Sequence, residues 1–152
     1  MALAIVVDED IALPPATRTK LRREVGRMVK AAALHDKRAD YEVVLRLCGD
    51  KAIRELNRAW RDKNKPTDVL AFAQREAANA DANLLGDIVI SLDTAKRQAK
   101  RGLYKELLHL ASHGLCHLMG YDHDDDEEEA EMNARAASLR KEAARTGRVR
   151  AA

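Results

Sequence analysis

Short runs of aliphatic and β-branched residues alternate with longer amphipathic segments along this chain. Residues 3–7 (LAIVV) predict a first strand, and residues 41–48 (YEVVLRLC) predict a second. Between them, after Pro14 and Pro15, apolar residues recur at helical spacing over residues 17 to about 34, with basic residues on the other face. The chain therefore opens as strand, helix, strand.

The middle of the chain predicts a second helix and two further strands. Asp50 is a suitable N-cap for a helix that must end before Pro66, since proline cannot continue it. Residues 68–72 and 87–91 are short apolar runs that predict strands, joined by a polar, alanine-rich loop over residues 74–83.

Helices are predicted for the rest of the chain. Ser91 or Asp93 caps a short helix that runs to Lys100, and a more apolar helix follows from about residue 104 to 119. The last helix, from about residue 125 to 145, begins with acidic and ends with basic residues, as the helix dipole favours.

This order of elements predicts an α+β fold. We expect a small mixed β-sheet of about four strands surrounded by about five helices. A length of 152 residues is that of one ordinary domain, so a single domain over residues 1–152 is expected.

The composition argues against a membrane protein and a disulfide-rich secreted protein. No apolar run reaches the roughly 18 residues that can span a bilayer, and acidic residues follow the first apolar run where a secretory signal would continue. The two cysteines, Cys48 and Cys116, are expected to be reduced thiols, and Cys116 is interpreted as a core residue rather than a metal ligand. We therefore expect a cytoplasmic protein with no membrane partner.

The formal net charge of +2 conceals an asymmetry. Residues 1–121 carry 21 Lys and Arg against 16 Asp and Glu, whereas residues 122–152 carry 6 against 9. A basic body with an acidic segment is compatible with a nucleic-acid partner. An ordinary solvated surface explains the same balance almost as well.

The most specific chemical signal is the sequence HGLCHLMGYDH, which ends at residue 123. His113 and His117 are one helical turn apart, so their imidazoles can converge on one ion. Gly120 tolerates the left-handed conformation that ends helices, which lets the chain turn and bring His123 back. Three histidines would leave a fourth position open, as in catalytic zinc sites. We predict a metal site on this central helix and the turn after it.

The spacing matches the extended zinc-peptidase motif HExxHxxGxxH except at one position. Gly114 stands where those enzymes carry the glutamate that acts as general base. Zinc can lower the pKa of its water to about 7 without that glutamate, so hydrolysis stays possible. His109, one turn before His113, either acts beside the metal or is a structural histidine, and both interpretations stay open.

A basic loop could supply the charge that phosphodiester chemistry needs. Arg61, Lys63 and Lys65 follow one another in RDKNK. The planar guanidinium of arginine can hold two phosphate oxygens at once and stabilise a negatively charged transition state. On composition alone, such a loop is more often a solvated turn.

Together these segments resemble a known family. The histidine motif, LNRAWRDKNKPTDVLAF (residues 56–72) and LLGDIVIS (residues 84–91) are similar in sequence and order to the YbeY endoribonucleases, the bacterial rRNA maturation factors. The chain departs from the family pattern at a few positions outside the predicted ligands and Arg61: Trp60, Ala71, Ser112 and Cys116.

The resemblance implies metal ligands at His113, His117 and His123 and a functional arginine at Arg61. It implies one Zn²⁺ ion and a single-strand-specific endoribonuclease that acts in ribosomal RNA processing, notably 16S rRNA 3′-end maturation, and in ribosome quality control. The implied partners are single-stranded RNA, rRNA, the small ribosomal subunit and its maturation factors. Two other hypotheses remain: a zinc hydrolase of another substrate such as peptide, and a non-catalytic ribosome assembly factor with a structural metal.

Overall fold

A four-stranded mixed sheet forms the centre of the computed structural model, which describes residues 3–74, 83–122 and 124–152. The strands are β1 (Leu3–Val7), β2 (Glu42–Cys48), β3 (Val69–Ala73) and β4 (Leu84–Ser91). Their order is β1-β2-β4-β3, with β1, β2 and β4 parallel and β3 antiparallel to β4 at one edge.

The described helices are α1 (Pro15–His35), α2 (Asp50–Arg61), α3 (Leu92–Gln98), α4 (Leu103–Leu118) and α5 (Asp126–Ala144). Helices α1, α3, α4 and α5 fall within three residues of their predicted bounds, and α2 ends before Pro66, as predicted. The predicted α+β fold, with a small mixed sheet and helices around it, is confirmed. No helix within the described ranges is long and apolar enough to cross a membrane.

The two faces of the sheet are covered unequally. Fully buried side chains such as Leu45 and Ile88 face the main core, which α1, α4 and α5 close. On the opposite face, Val89 and Cys48 pack in a smaller cluster with Ile53 of α2. Burial of each such aliphatic side chain contributes about 1.5–3 kcal/mol. Side chains on the two faces of the strands thus pack against α4 on one face of the sheet and against α2 on the other.

Helix α4 lies unusually close to β4 because of Gly114. A Cβ atom built on Gly114 would lie 2.7 Å from Cγ2 of Ile88, closer than real Cβ contacts allow. Helix α4 also packs against the edge strand β3.

The interpretation of Asp50 as the N-cap of α2 was wrong. Gly49 holds that position with extended backbone, and Asp50 is the first helical residue. Its backbone N–H donates to Oδ2 of Asp93 at 2.9 Å. The Asp50 carboxylate instead accepts hydrogen bonds from three side chains of β4 and α3: Ser91 Oγ, Thr94 Oγ1 and Arg97 Nη1. Ser91 is the N-cap of α3, as one of the two predicted alternatives had it.

Both cysteines are free thiols, as predicted, and both are buried, which the sequence had predicted for Cys116 alone. Burial raises the pKa of each thiol, Cys48 and Cys116, to about 11. Cys116 packs in the main core, with its Sγ 3.9 Å from the carbonyl oxygen of Met132. These are packing residues rather than reactive groups.

Candidate active site

Helix α4 presents two histidines in the same tautomer. Nδ1 of His113 donates to the carbonyl oxygen of His109 at 2.9 Å, and Nδ1 of His117 donates to that of Tyr121 at 3.2 Å. A carbonyl oxygen can only accept, so in neutral rings the lone pair lies on Nε2. A hydrogen bond of this kind fixes the tautomer and orientation of a metal-binding histidine.

Asn133 of α5 is a neighbour of this site that the sequence did not reveal. Its Oδ1 lies 3.0 Å from Nε2 of His113. The lone pair on Nε2 needs a donor, which the amide supplies when its NH₂ faces the ring. Only the packing of α5 on α4 places the two side chains together, and no local pattern signals it.

The turn after α4 has the conformation that the sequence predicted. Gly120 has φ +97°, and its N–H donates to the carbonyl oxygen of His117 at 3.0 Å. Tyr121 N–H donates to the carbonyl oxygen of Cys116 at 3.1 Å. The next but one residue, His123, lies outside the described residues, so its role as third ligand stays a prediction.

The guanidinium of Arg135, on α5, stabilises this turn. Its Nη1 donates to the hydroxyl of Tyr121 at 2.9 Å, and its guanidinium lies 5.6 Å from the centre of the Tyr121 ring. The same guanidinium pairs with Asp36 at the end of α1 and donates to the carbonyl oxygen of Ala152. The turn is therefore held by groups that do not depend on a metal.

The available donors suit a metal such as zinc. Within the described ranges, no three His, Cys, Asp or Glu side chains group closely enough to hold an ion. His113 and His117 supply two borderline imidazole donors in oriented tautomers, which zinc accepts readily. A third donor must come from outside the described residues, where His123 is the predicted one.

Arg61 and His117 line the same cavity. Arg61 is the last residue of α2, and its Nη2 donates to the carbonyl oxygen of Ala71 on β3 at 3.2 Å. The cavity has a volume of about 490 Å³. Its other lining residues come from β3, α4, the turn after α4 and the residue before β3: Val69, Ala71, Gly114, Gly120, Tyr121, Asp122 and Asp68. The structure thus brings together the predicted arginine and one predicted ligand from opposite faces of the sheet.

The two lysines predicted beside Arg61 lie on the exposed loop that follows it. Asn57, buried on α2, organises this loop by donating from Nδ2 to the carbonyl oxygen of Lys65 at 2.9 Å. The backbone carbonyl oxygen of Asn57 accepts a hydrogen bond from the N–H of Lys63 at 3.2 Å. Both lysine side chains are exposed outside the walls of the cavity. Sequence reasoning missed the part that Asn57 plays in holding the loop.

A second cleft, of about 270 Å³, opens along α4 and borders all three of its histidines. The rings of His109 and His113 have centroids 4.2 Å apart. Burial lowers the pKa of His109, and the charges of His113 and Arg140 act in the same direction. The structure therefore places His109 against a predicted ligand, and both interpretations of it stay open.

Asp68 is the carboxylate that both cavities share. Its side chain accepts from Val69 N–H at 2.7 Å and from Gln98 Nε2 at 3.0 Å, which fixes its position. The sequence had indicated it only as the start of a strand. One signal in the sequence could have indicated a functional role for Asp68. It is an acidic residue that directly precedes an edge strand, in the same segment as Arg61.

The position of the missing peptidase glutamate faces the sheet. The Cα–Cβ direction at Gly114 points at Ile88, a fully buried residue of β4. The backbone of Gly114 lines the cavity, but the Cβ of a glutamate there would collide with Ile88 unless the packing shifted. The absence of that base follows from how closely α4 packs on β4.

The comparisons with known proteins agree with one another. The family model for endoribonuclease YbeY matches residues 8–144. Relatives named endoribonuclease YbeY include one from Synechococcus sp. (strain RCC307), 43% identical over 139 residues, which cover 87% of this chain and 82% of the relative. Another, from Moorella thermoacetica, is 45% identical over 132 residues, with 79% and 85% covered.

A solved structure shares the fold. The solution structure of TM1509 from Thermotoga maritima matches with a TM-score of 0.58 and 26% sequence identity, covering 93% of this chain and 88% of that protein. With the matches over most of the sequence, this chain belongs to the endoribonuclease YbeY family.

Proposed function

We propose that this protein is a zinc-dependent endoribonuclease that cleaves single-stranded ribosomal RNA. The observation that carries the proposal is the cavity shared by Arg61 and His117. It combines a cation suited to a phosphate with an imidazole oriented to bind a metal, at a site open to solvent. The relatives are named endoribonucleases, and cleavage of an RNA phosphodiester would use such a pairing.

The metal would be held by His113, His117 and His123. Zinc, when bound, supplies Lewis-acid polarisation of a phosphoryl oxygen and activation of water. The protein's own contribution is to fix both described imidazoles through their Nδ1 atoms and to pin the turn that leads to His123.

Arg61 would bind the scissile phosphate and stabilise its developing negative charge. In the described contacts, only its Nη2 is engaged, by the carbonyl oxygen of Ala71, so the other N–H groups of the guanidinium can point into the cavity. A planar guanidinium can contact two phosphate oxygens. Lys63 and Lys65, on the loop beside it, would attract the neighbouring backbone phosphates.

The biological substrate would be ribosomal RNA, with 16S rRNA 3′-end maturation as the main reaction. Partners would be the small ribosomal subunit and its maturation factors, in the cytoplasm, with a second role in ribosome quality control. Family membership supports this assignment. A peptide substrate is disfavoured, since the packing of Gly114 against Ile88 excludes the peptidase base.

The test is cleavage of labelled single-stranded RNA by purified protein, with the same sequence as a duplex for comparison. His117→Ala and Arg61→Glu should each lower cleavage about 100-fold or more, and a chelator should abolish it until zinc is restored. His35→Ala and Arg58→Glu are matched controls, because both side chains are exposed and neither lines the cavity. Metal content and circular dichroism should accompany each assay.

RNA cleavage that is unchanged by the chelator and by both site variants would refute the proposal. If a zinc-loaded variant without nuclease activity still restored rRNA maturation in cells, the protein would instead be an assembly factor with a structural metal.

A further inference from the structure

A third cleft extends the histidine cleft toward the start of α4. It has a volume of about 550 Å³ and is lined by the end of α3, the loop after it, α4 and one residue of α5: Gln98, Lys100, Arg101, Lys105, Glu106, Leu108, His109 and Arg140. His109 lines both this cleft and the histidine cleft, which in turn shares His117 and Asp68 with the Arg61 cavity. The three clefts therefore neighbour one another along α4, and together they are called the groove below.

The far end of this groove is strongly basic. Four of its lining residues are cations, and its acidic residue, Glu106, accepts a hydrogen bond from Gln98 at 2.8 Å. Within residues 3–74, 83–122 and 124–152, none of Lys100, Arg101, Lys105 and Arg140 forms an ion pair. Within the part of the chain that the structure describes, most other arginines that are not exposed do have a carboxylate partner, as Arg46 has Asp8 and Arg27 has Glu142.

Arg140 is held in place by a specific contact. It is partly buried, and its Nη1 donates to Oγ of Ser112 at 2.7 Å, while that hydroxyl donates to the carbonyl oxygen of His109 at 2.8 Å. Burial lowers the pKa of the Arg140 guanidinium. A half-buried charge without a counter-ion bears part of the desolvation cost of a buried one, and an anionic ligand would relieve that part.

We propose that the basic end of the groove binds backbone phosphates of the RNA strand next to the scissile phosphate. This inference rests on the proposed function, and it gives the substrate a direction along α4. His117 and Lys105 are twelve residues apart on one helix, about 18 Å, which accommodates a few nucleotides. The lining holds no Phe, Tyr or Trp, so contact here rests on charge and is insensitive to base sequence.

The decisive variant is Arg101→Glu combined with Lys105→Glu, since both side chains are exposed and their replacement should leave the fold intact. The charge-matched control is Arg22→Glu combined with Lys51→Glu, two exposed cations on α1 and α2 that do not line the groove. RNA affinity is measured by fluorescence anisotropy at several salt concentrations, in a His117→Ala background that prevents cleavage. Cleavage is measured separately in the native background.

The groove variant should bind single-stranded RNA about tenfold more weakly at low salt. Because each phosphate contact contributes about 0.7 to the slope of log K against log salt, loss of two contacts should reduce that slope by about 1.4. The control should bind like the parent. On RNAs lengthened stepwise on one side of the cleavage site, the parent should gain affinity with length and the groove variant should not. KM should rise with kcat nearly unchanged.

Arg140→Gln provides a second variant, with an expected slope change of about 0.7. Equal affinity and slope in groove and control variants, with normal cleavage by the parent, would overturn the groove alone. A parent that neither binds nor cleaves RNA would overturn the proposed function first. The two failures are therefore distinguishable.

Discussion

Two glycines in helix interiors provide a direct test of how α4 packs on the sheet. Gly114→Ala adds one methyl group that would meet Ile88 Cγ2 at 2.7 Å, whereas Gly26→Ala on α1 adds the same group where no described atom lies within 4 Å. Both positions are helical, so the gain in helix propensity is shared. The two variants differ only in the space available to the new carbon.

The magnitudes follow from that difference. Alanine in place of glycine stabilises a helix interior by about 1 kcal/mol, so Gly26→Ala should raise the free energy of unfolding by about that amount. At Gly114, this gain is opposed by overpacking, which costs about 1–3 kcal/mol in a filled core. Ile88 is fully buried and branched at Cβ, so it cannot rotate away freely. Gly114→Ala should therefore be about 1–3 kcal/mol less stable than Gly26→Ala.

The assay is urea unfolding of the parent and both variants, followed by circular dichroism, with Ile88→Ala and the double variant completing a cycle. Removing the Ile88 side chain should relieve the clash, so the double variant should be more stable than the sum of the single effects by at least about 0.5 kcal/mol. Equal stability of the two alanine variants, or no coupling to Ile88, would refute close packing as the reason for glycine at position 114.

Three further predictions concern the rest of the fold. With pKa values of about 11, Cys48 and Cys116 should react with a thiol reagent at pH 8 only after unfolding, and rapid reaction of the native protein would contradict their burial. The hydrogen bonds to Asp50, that from Arg97 above all, lower its pKa from 3.8 to about 2, so it stabilises the fold above pH 4 and loses this effect as the pH falls toward 2. Asp50→Asn should therefore cost about 1–2 kcal/mol at pH 7, with the difference shrinking in acid; a pH-independent difference in urea unfolding would argue against the linkage. Asn57→Ala should release the loop after Arg61 and lower stability by about 1–2 kcal/mol, while Asn57→Asp, which keeps the shape but not the donor, should behave similarly in the same assay.

The sequence predicted what depends on local periodicity. The strands follow from short aliphatic and β-branched runs and the helices from 3.6-residue periodicity, and the positive φ of Gly120 follows from the need to end α4 before His123. Strand β4 begins three residues earlier than predicted, because Gly86 interrupts the apolar pattern. In the structure, this glycine lies inside the strand, where a Cβ would meet the carbonyl oxygen of Phe72 on β3.

What the sequence could not predict depends on distant packing. Aspartate is a common N-cap residue, but the Asp50 carboxylate accepts hydrogen bonds from α3 instead. Helix α3 lies beside Asp50 only because the sheet brings the two together. The contact of Asn133 with His113 needs α5 to lie on α4. Asp68 becomes part of the site because the edge strand lies beside α4. No local pattern contains these distances.

The attachment of the turn after α4 to Arg135 bears on the thermodynamics of metal uptake. In small zinc modules, the ion orders its own ligands, so folding and binding are one transition and removal of the metal unfolds the chain. Here Arg135 and the carbonyl acceptors order Tyr121 and two imidazoles during folding itself. The turn therefore loses its conformational entropy when the chain folds, and metal binding need not order it again. If zinc binds as proposed, we expect it to exchange on a folded scaffold, so that the protein stripped of metal stays folded and can be reloaded.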